Sequence, residues 1–532
     1  MSLFQAVSFP HTRYDIRMAR HFIQPDYEAA LYEPIRIADA LPPTHLARWL
    51  AALIASWNLT AFYDRYALFG RPPYAPEILL GVLLYGYLTG VHSSRLIEQA
   101  IQESLPFRFL AAGSHPDAMT IGRFREATFP LVAGLFAQVL AQARADGYLP
   151  ANPPVSADGT KIAANASKHH AVSYQHAVTL RDQLLQQAAA LWDLPDDAVP
   201  DGMDPLHEIA LRLAAIEQLD LAIAVIAARA QQRYAAARAE YDAKMAARAQ
   251  RAQETGRKPG GRPPPPPPSP APAPEDQYNF TDPDSRIMKN STDTGVSQQY
   301  NAQLAVDQVG RFIVGYALST HPNDKQEATT AIDTIPAAVG IPVAAAEDAG
   351  YFSEQNILAL EARGIIPLIT CGKQTHGLNW QRFHQARTDG PAPTGAAPVD
   401  RVRFALETAC GHRIYAQRKS TVEPVFGLIK TVFGFRHFSV RGTEKALGEW
   451  SLVSLAYDVK RLYACQARVR QQAGSWCRQI VTHLVQIAHS LSGWWRGEGQ
   501  AQPSECRKSV TGSRTLTRLA SPTAGGSYAS GC

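Results

Sequence analysis

The 532 residues hold little from which a sulfur or imidazole metal centre could be built. The six cysteines, at positions 371, 410, 465, 477, 506 and 532, include no Cys-x-x-Cys pair and no zinc-ligand spacing, and the sixteen histidines are scattered without one. The cysteines read as free thiols of a reducing compartment. A nucleotide-binding loop is missing too, because Gly256-Arg-Lys-Pro-Gly-Gly261 lacks the Gly-Lys-Ser/Thr ending that cradles phosphates. That argues against dependence on ATP. Residues 1–30 carry charge throughout, with no apolar signal-peptide run. The apolar patch at 480–495 is short and includes His483 and His489, which suits an amphipathic helix rather than a membrane span. These absences describe a soluble cytoplasmic chain with no membrane partner.

What is present is ordinary globular composition, long enough for about three domains, so most of the chain should fold around real cores. The net charge of +5 says less than its distribution. From Gly411 onward, 17 Lys and Arg stand against six Asp and Glu, which points to a polyanionic partner.

Residues 1–150 read as a helical, DNA-binding domain, with helix-length apolar patterns at 35–57, 76–88, 93–102 and 129–145 separated by Gly/Pro turns. Within it, Thr120-Ile-Gly-Arg-Phe-Arg125 opens a helix carrying Arg123 and Arg125, placed either to touch DNA or simply on a bundle surface. Residues 155–164 read as a strand, a turn at Asp158-Gly159 and a second extended piece. Residues 171–256 form a helical insertion, with 209–245 patterned as a coiled-coil-like arm. A stiff proline-rich linker follows at 257–280, within which Gly261-Arg262-Pro263 resembles a minor-groove-binding turn but suits a plain linker better.

Beyond the linker comes an α/β pattern: strands at 300–307 and 312–320 joined by an Asp307-Gln-Val-Gly310 hairpin, a helix at 325–339 and a buried strand at 342–348. A helix at 353–363, a strand at 365–370, a polar loop at 372–400 and a strand pair within 403–415 complete it. Asp282, Asp284 and Arg286 form either a site-supporting turn or a surface turn. A helix from Glu444 to about Gln471 packs behind, and 466–532 is a basic, partly disordered tail.

The chemistry concentrates at Tyr415-Ala-Gln-Arg-Lys-Ser-Thr-Val-Glu-Pro-Val-Phe-Gly-Leu-Ile-Lys430. Val422, Phe426, Ile429 and Phe433 make one apolar helical stripe, and Glu423, Gly427 and Lys430 follow one step around. Pro424 fits a first helical turn, which would set Glu423 at the helix start, where the dipole favours its ionised form. Asp158 at a strand end and Asp348 at the end of the buried strand supply two further carboxylates, while neighbouring Glu347 points to the other face. Three hard oxygen ligands suit two Mg²⁺ or Mn²⁺ ions rather than zinc. Such a pair, about 4 Å apart, can activate a water or 3′-hydroxyl and stabilise the oxygen leaving a phosphodiester. Singly, each acid could equally be a turn former, a helix-leading residue or a cap.

Taken together, Ser156-Ala-Asp-Gly-Thr-Lys161, Thr281-Asp-Pro-Asp-Ser-Arg286, Tyr300-Asn-Ala-Gln303 with Asp307, Ala346-Glu-Asp-Ala-Gly-Tyr351 and the stretch above resemble a bacterial insertion-sequence transposase of the acidic-triad (DDE) class. The resemblance covers about residues 30–465. It implies an α/β, RNase H-like mixed-sheet catalytic domain formed by 151–170 and 281–465, with an all-helical N-terminal domain. It implies Asp158, Asp348 and Glu423 as catalytic and metal-binding triad, and Tyr415, Arg418 and Lys430 as contacts to transposon-end phosphates. Four residues separate Arg418 from Glu423 where the family's signature most often has three, so Lys419 competes with Arg418 for that role. The activity implied is metal-dependent cleavage of double-stranded DNA at the element's inverted repeats followed by strand transfer, near the nucleoid and in a dimeric synaptic complex. The rival readings are a transposase-derived DNA-binding protein without catalysis, a nuclease that never joins strands, and an interaction protein built on the arm and linker.

Overall fold

The computed structural model describes residues 23–27, 36–67, 72–195, 198–255, 266–289, 295–370, 390, 393 and 395–495, the last stretch from 471 as backbone alone. The expectations about residues 1–22, the Gly261-Arg262-Pro263 turn, most of the 372–400 loop and the tail beyond 495 lie outside them.

The N-terminal helices are α1 (Leu46–Ser56), α2 (Thr60–Tyr63), α3 (Pro76–Thr89), α4 (Ser94–Glu103), α5 (Leu105–Leu110), α6 (Ala118–Thr128) and α7 (Val132–Ala145). Helix α3 starts on Pro76 in its first turn and ends at Gly90 in the left-handed region, and every residue from Pro76 to Leu88 is buried. It is the spine of this unit. Asp117 caps α6 by accepting the Thr120 N–H at 2.6 Å.

Strand β1 (Val155–Ala163) opens the sheet. It is continuous, so Asp158-Gly159 is no turn: antiparallel pairing to β5 carries Asp158 opposite Leu304 and Gly159 opposite Gln303. After the short β2 (Ala171–Ser173) the arm rises as α8 (Tyr174–Trp192) and α9 (Pro205–Thr255). Val172, Ala177, Leu219, Ala222, Ile226 and Tyr278 form a small core at its root. Tyr278 belongs to β3 (Gln277–Asn279), which pairs with β2, so the end of the proline-rich segment is built into the fold.

Strands β4 (Arg286–Lys289), β5 (Val296–Asp307), β6 (Ile313–Ser319), β7 (Ala344–Glu347) and β8 (Ile366–Ile369) complete a mixed sheet ordered β4-β5-β1-β7-β8, with β6 also on β5. β7 and β8 run parallel to β1 and β5 runs antiparallel. This is the RNase H-like arrangement. The β5–β6 hairpin is locked by Asp307, whose carboxylate accepts the N–H groups of Val309, Gly310 and Phe312 at 2.9, 2.7 and 2.7 Å.

Two expected elements differ. Residues 325–339 form turns and one short 3-10 segment rather than a helix, because Thr330, Ile332, Thr334 and Ile335 are β-branched and Ile335 precedes Pro336. Residues 403–415 are helical, not paired strands: after α10 (Glu354–Glu361) come α11 (Pro398–Glu407) and α12 (Ala409–Ala416), whose Ala405, Leu406, Ile414 and Tyr415 pack on Ala344, Ala346 and Leu368. Helix α13 (Arg418–Thr431) follows, and α14 (Thr443–Trp495) runs well past Gln471. Buried Trp450, Val453, Leu455 and Leu462 of α14 join the N-terminal helices and the sheet in one core. Cys465 is free but Cys410 is disulfide-bonded, against the expectation of free thiols, since spacing along the chain does not report closeness in space.

Candidate active site

The parallel register of β1 with β7 pairs Val155 with Ala345 and Ser156 with Ala346. Counting two residues on along each strand reaches Asp158 and Asp348, so both carboxylates stand at one level on one face, just beyond the last paired residues. That is the C-terminal edge of the parallel strands, where open α/β sheets place their ligands. Asp158 Oδ1 accepts the Gly159 N–H at 2.9 Å and Asp348 Oδ1 accepts the Gly350 N–H at 2.7 Å. Burial pushes the Asp158 carboxyl up to about 6, helped by the charges of Asp348 and Asp324; the Gly159 N–H and Arg418 oppose this without cancelling it. Arg418 Nη1 lies 3.7 Å from Asp158 Oδ2, and both side chains are largely buried.

Arg418 begins α13, which lies along β1. At the other end Lys430 Nζ donates to Thr160 Oγ1 at 2.5 Å and to the Lys161 carbonyl at 3.2 Å. The apolar stripe is as expected, with Val422, Phe426, Ile429 and Phe433 all buried. Glu423 is not at the helix start, because the helix begins five residues earlier and takes Pro424 into its interior. Pro424 is exposed, so water can serve the carbonyl that its missing N–H leaves unpaired. Away from the first turn, Glu423 loses the expected support of the helix dipole. Its side chain is exposed and lies within about 20° of Lys430 around the helix. It makes no hydrogen bond or ion pair among the described residues.

Of the two candidate cations, Arg418 is buried and reaches Asp158, while Lys419 is exposed. The Tyr415 hydroxyl meets Thr370 Oγ1 at 3.0 Å, off the end of β8. In the N-terminal unit Arg123 is exposed beside a cavity of about 590 Å³ that Arg65, Tyr66 and Tyr74 also line. Arg125 turns inward and donates to the His92 carbonyl at 3.0 Å. Asp282 and Asp284 tie their turn into the fold rather than standing on the surface. Fully buried, Asp282 accepts the Tyr300 hydroxyl and the Gly442 N–H, while Asp284 accepts the Thr443 N–H, tying this turn to the start of α14.

Two acidic groups beside the pair carried no sequence signal strong enough to single them out as site residues. Asp324 sits in the turn after β6, with Oδ1 accepting Asn301 Nδ2 and Gln303 Nε2, each at 2.8 Å. Glu347 is fully buried with both oxygens unpartnered, and burial and the three aspartates hold its carboxyl well above the usual range. Among the described residues, no three acidic, histidine or cysteine side chains stand close enough together to enclose a metal ion. In kind the donors fit Mg²⁺ or Mn²⁺: oxygens only, partly anchored by N–H groups, in a nest of negative charge that one arginine does not balance.

The sheet is RNase H-like, and Asp158 and Asp348 stand side by side at the edge of its central strands. Residues 35–127 match the family described as Transposase domain (DUF772), and residues 271–459 match Transposase DDE domain. The chain belongs to the insertion-sequence transposases of the DDE type. Asp348, Glu423 and Asp324 fall inside the second match, while Asp158 lies outside both and is placed by strand register. No curated protein and no solved structure matches the chain. Among the described residues, no helix is long and apolar enough to cross a membrane.

Proposed function

We propose that this transposase binds the terminal inverted repeats of its insertion sequence and catalyses metal-dependent strand cleavage and strand transfer. The observation that carries the reading is the register-matched pair Asp158 and Asp348, at one sheet edge in negative charge that Arg418 balances only in part. These two would hold Mg²⁺ or Mn²⁺, with Glu423 completing the triad from the flank of α13 that it shares with Lys430. When bound, two such ions supply an activated water or 3′-hydroxyl and charge stabilisation at the leaving oxygen. Arg418, 3.7 Å from Asp158 Oδ2, would hold that carboxylate in place and offer its guanidinium to a phosphate beside it. Lys430, Lys419 and Tyr415 would contact the backbone of the element's end. Exposed Arg123 is the better-placed DNA contact of the N-terminal unit, since Arg125 is turned inward to the His92 carbonyl. The working complex would be a homodimer on two ends, at the nucleoid.

Free-standing Glu423 favours a second reading, a transposase-derived DNA-binding protein without catalysis. The two part in one experiment, in which a labelled duplex carrying the terminal repeat is incubated with Mg²⁺ or Mn²⁺ and either the wild-type chain or Asp348→Asn. Nicking at the repeat end by wild type alone, with binding kept by the variant, supports the enzyme. Tight binding without nicking by either protein supports the second reading.

A further inference from the structure

The segment 432–442, which joins α13 to α14, alternates in character. Phe433, Phe435, Phe438 and Val440 are buried, while Arg436, His437 and Arg441 between and beside them are exposed. The aromatic rings anchor the segment on both units of the molecule. Phe435 stands edge-on to His92 of the N-terminal unit at 5.6 Å, and Phe438 edge-on to Tyr300 of β5 at 5.6 Å. Its backbone is pinned too: Ala163 of β1 donates to the Arg436 carbonyl at 3.2 Å and accepts the Phe438 N–H at 2.9 Å, in a parallel bridge to His437. Both bonds leave β1 on the side away from β5, the side that β7 takes at Val155 and Ser156. The segment thus resumes, farther along, the same edge of β1 on which Asp158 and Asp348 meet.

The acidic groups that touch this segment are engaged by backbone. Glu449 accepts the Ser439 N–H at 2.7 Å, Asp282 the Gly442 N–H at 3.1 Å and Asp284 the Thr443 N–H at 3.0 Å. The arginines are oriented from one side only: Arg436 Nε donates to the Lys430 carbonyl at 3.1 Å, and Arg441 Nε to the Asn165 carbonyl at 3.2 Å. Their Nη groups have no partner among the described residues, and no carboxylate there pairs with Arg436, Arg441 or Lys430. Those Nη donors are the ones that grip a phosphate through two parallel bonds. Positive charge accumulates along the edge, since burial and then the charge of Arg436 hold the Lys430 ammonium below its ordinary range.

We infer that the segment 432–442 carries the sugar-phosphate backbone of the element-end duplex away from the acidic edge, with Arg436 and Arg441 each holding one phosphate. The assignment rests on the function proposed above and names the surface along which that DNA lies. From Asp158 to Ala163, where Arg436 is pinned, β1 advances roughly 16 Å at about 3.3 Å per residue. That is about five nucleotides of one strand at about 3.4 Å each. The element's end is the occupant rather than target DNA because the segment packs through Phe435 on the N-terminal unit, so one duplex can run from that unit to the acidic edge.

The test measures binding of the full chain to the terminal-repeat duplex across a salt series, with phosphate-ethylation interference on the same duplex and melting curves of each protein. Arg436→Gln and Arg441→Gln should each lower the slope of log affinity against log salt by about one, and the pair by about two. The pair should bind roughly tenfold more weakly and lose interference at phosphates about five nucleotides from the cleaved end. Lysine at both positions, which keeps the charge but not the fork, should keep the slope and recover part of the affinity. If the glutamine pair melts early, the two single variants carry the test. Wild-type slope and interference in well-folded variants would overturn the role of the segment and leave the proposed function standing. Loss confined to binding of an unrelated target duplex would overturn the choice of the element's end. Failure of the wild-type chain to prefer the repeat duplex over an unrelated one would remove the proposed function itself.

Discussion

Replacing Asp158 with Asn should make the metal-free protein more stable while removing its activity. In the folded chain the Asp158 carboxyl titrates at about 6, against an ordinary 3.8, and its side chain is mostly screened from water. Ionising it is therefore harder in the fold than in the unfolded chain. Because the folded value is the higher one, the folded state binds the extra proton, and stability falls as pH rises from about 4 to about 6. The difference amounts to about 3 kcal/mol at 1.36 kcal/mol per pH unit. An asparagine side chain in this position would mimic the protonated form and escape that penalty. Denaturant unfolding in EDTA at pH 8 should show Asp158→Asn more stable by up to about 3 kcal/mol. The gain should shrink through pH 5 and vanish below about 4. Saturating Mn²⁺ should narrow or reverse the order, since only wild type gains fully from the ion. A variant that is equal to or weaker than wild type at pH 8 without metal would refute the claim that Asp158 is held ionised at a cost.

Three further outcomes follow from the same geometry. Gly159→Ala forces a Cβ against Gln303 and Asp324 and should cost about 1–3 kcal/mol in thermal or denaturant unfolding, with end cleavage reduced and end binding kept. Asp282→Ala strands the buried Tyr300 hydroxyl and the Gly442 N–H and should cost about 3 kcal/mol, while Mn²⁺ affinity of the folded fraction stays unchanged. Lys430→Met should weaken binding to the repeat duplex at all sequences and lower the salt dependence by about one phosphate contact, read from binding across a salt series.

Parts of this architecture are legible in the sequence because local chemistry and tertiary demand agree. Asp307-Gln-Val-Gly310 reads as a hairpin and is one, since the Asp307 carboxylate alone satisfies three of the turn's N–H groups. Val422, Phe426, Ile429 and Phe433 read as a core-facing stripe and are buried. Ser353 and Gly364 bracket α10 as a cap and a left-handed stop should. Asp158 and Asp348 are visible through motifs around each, but their partnership is a matter of strand register, which periodicity does not carry. Where local signals conflict, expectation and structure part. Residues 403–415 read as a strand pair, yet two helices pack their apolar residues on β7 and β8. Pro424 suggests a helix start, yet an exposed proline is tolerated within a helix anchored at both ends, by Arg418 and Lys430. Asp324 is one polar residue in a polar turn, and only folding brings Asn301 and Gln303 to it across β5.

The proposed triad is most open to refutation at Glu423, which would join from a helix flank and makes no hydrogen bond or ion pair to either aspartate among the described residues. The decisive measurement is strand joining, with a pre-cleaved terminal-repeat duplex, a supercoiled plasmid target and Mg²⁺, comparing wild type with Glu423→Gln. Wild type should give joined product, and the variant should lose at least about a hundredfold of it with equal binding to the duplex. Joining by Glu423→Gln at the wild-type rate would contradict a catalytic Glu423.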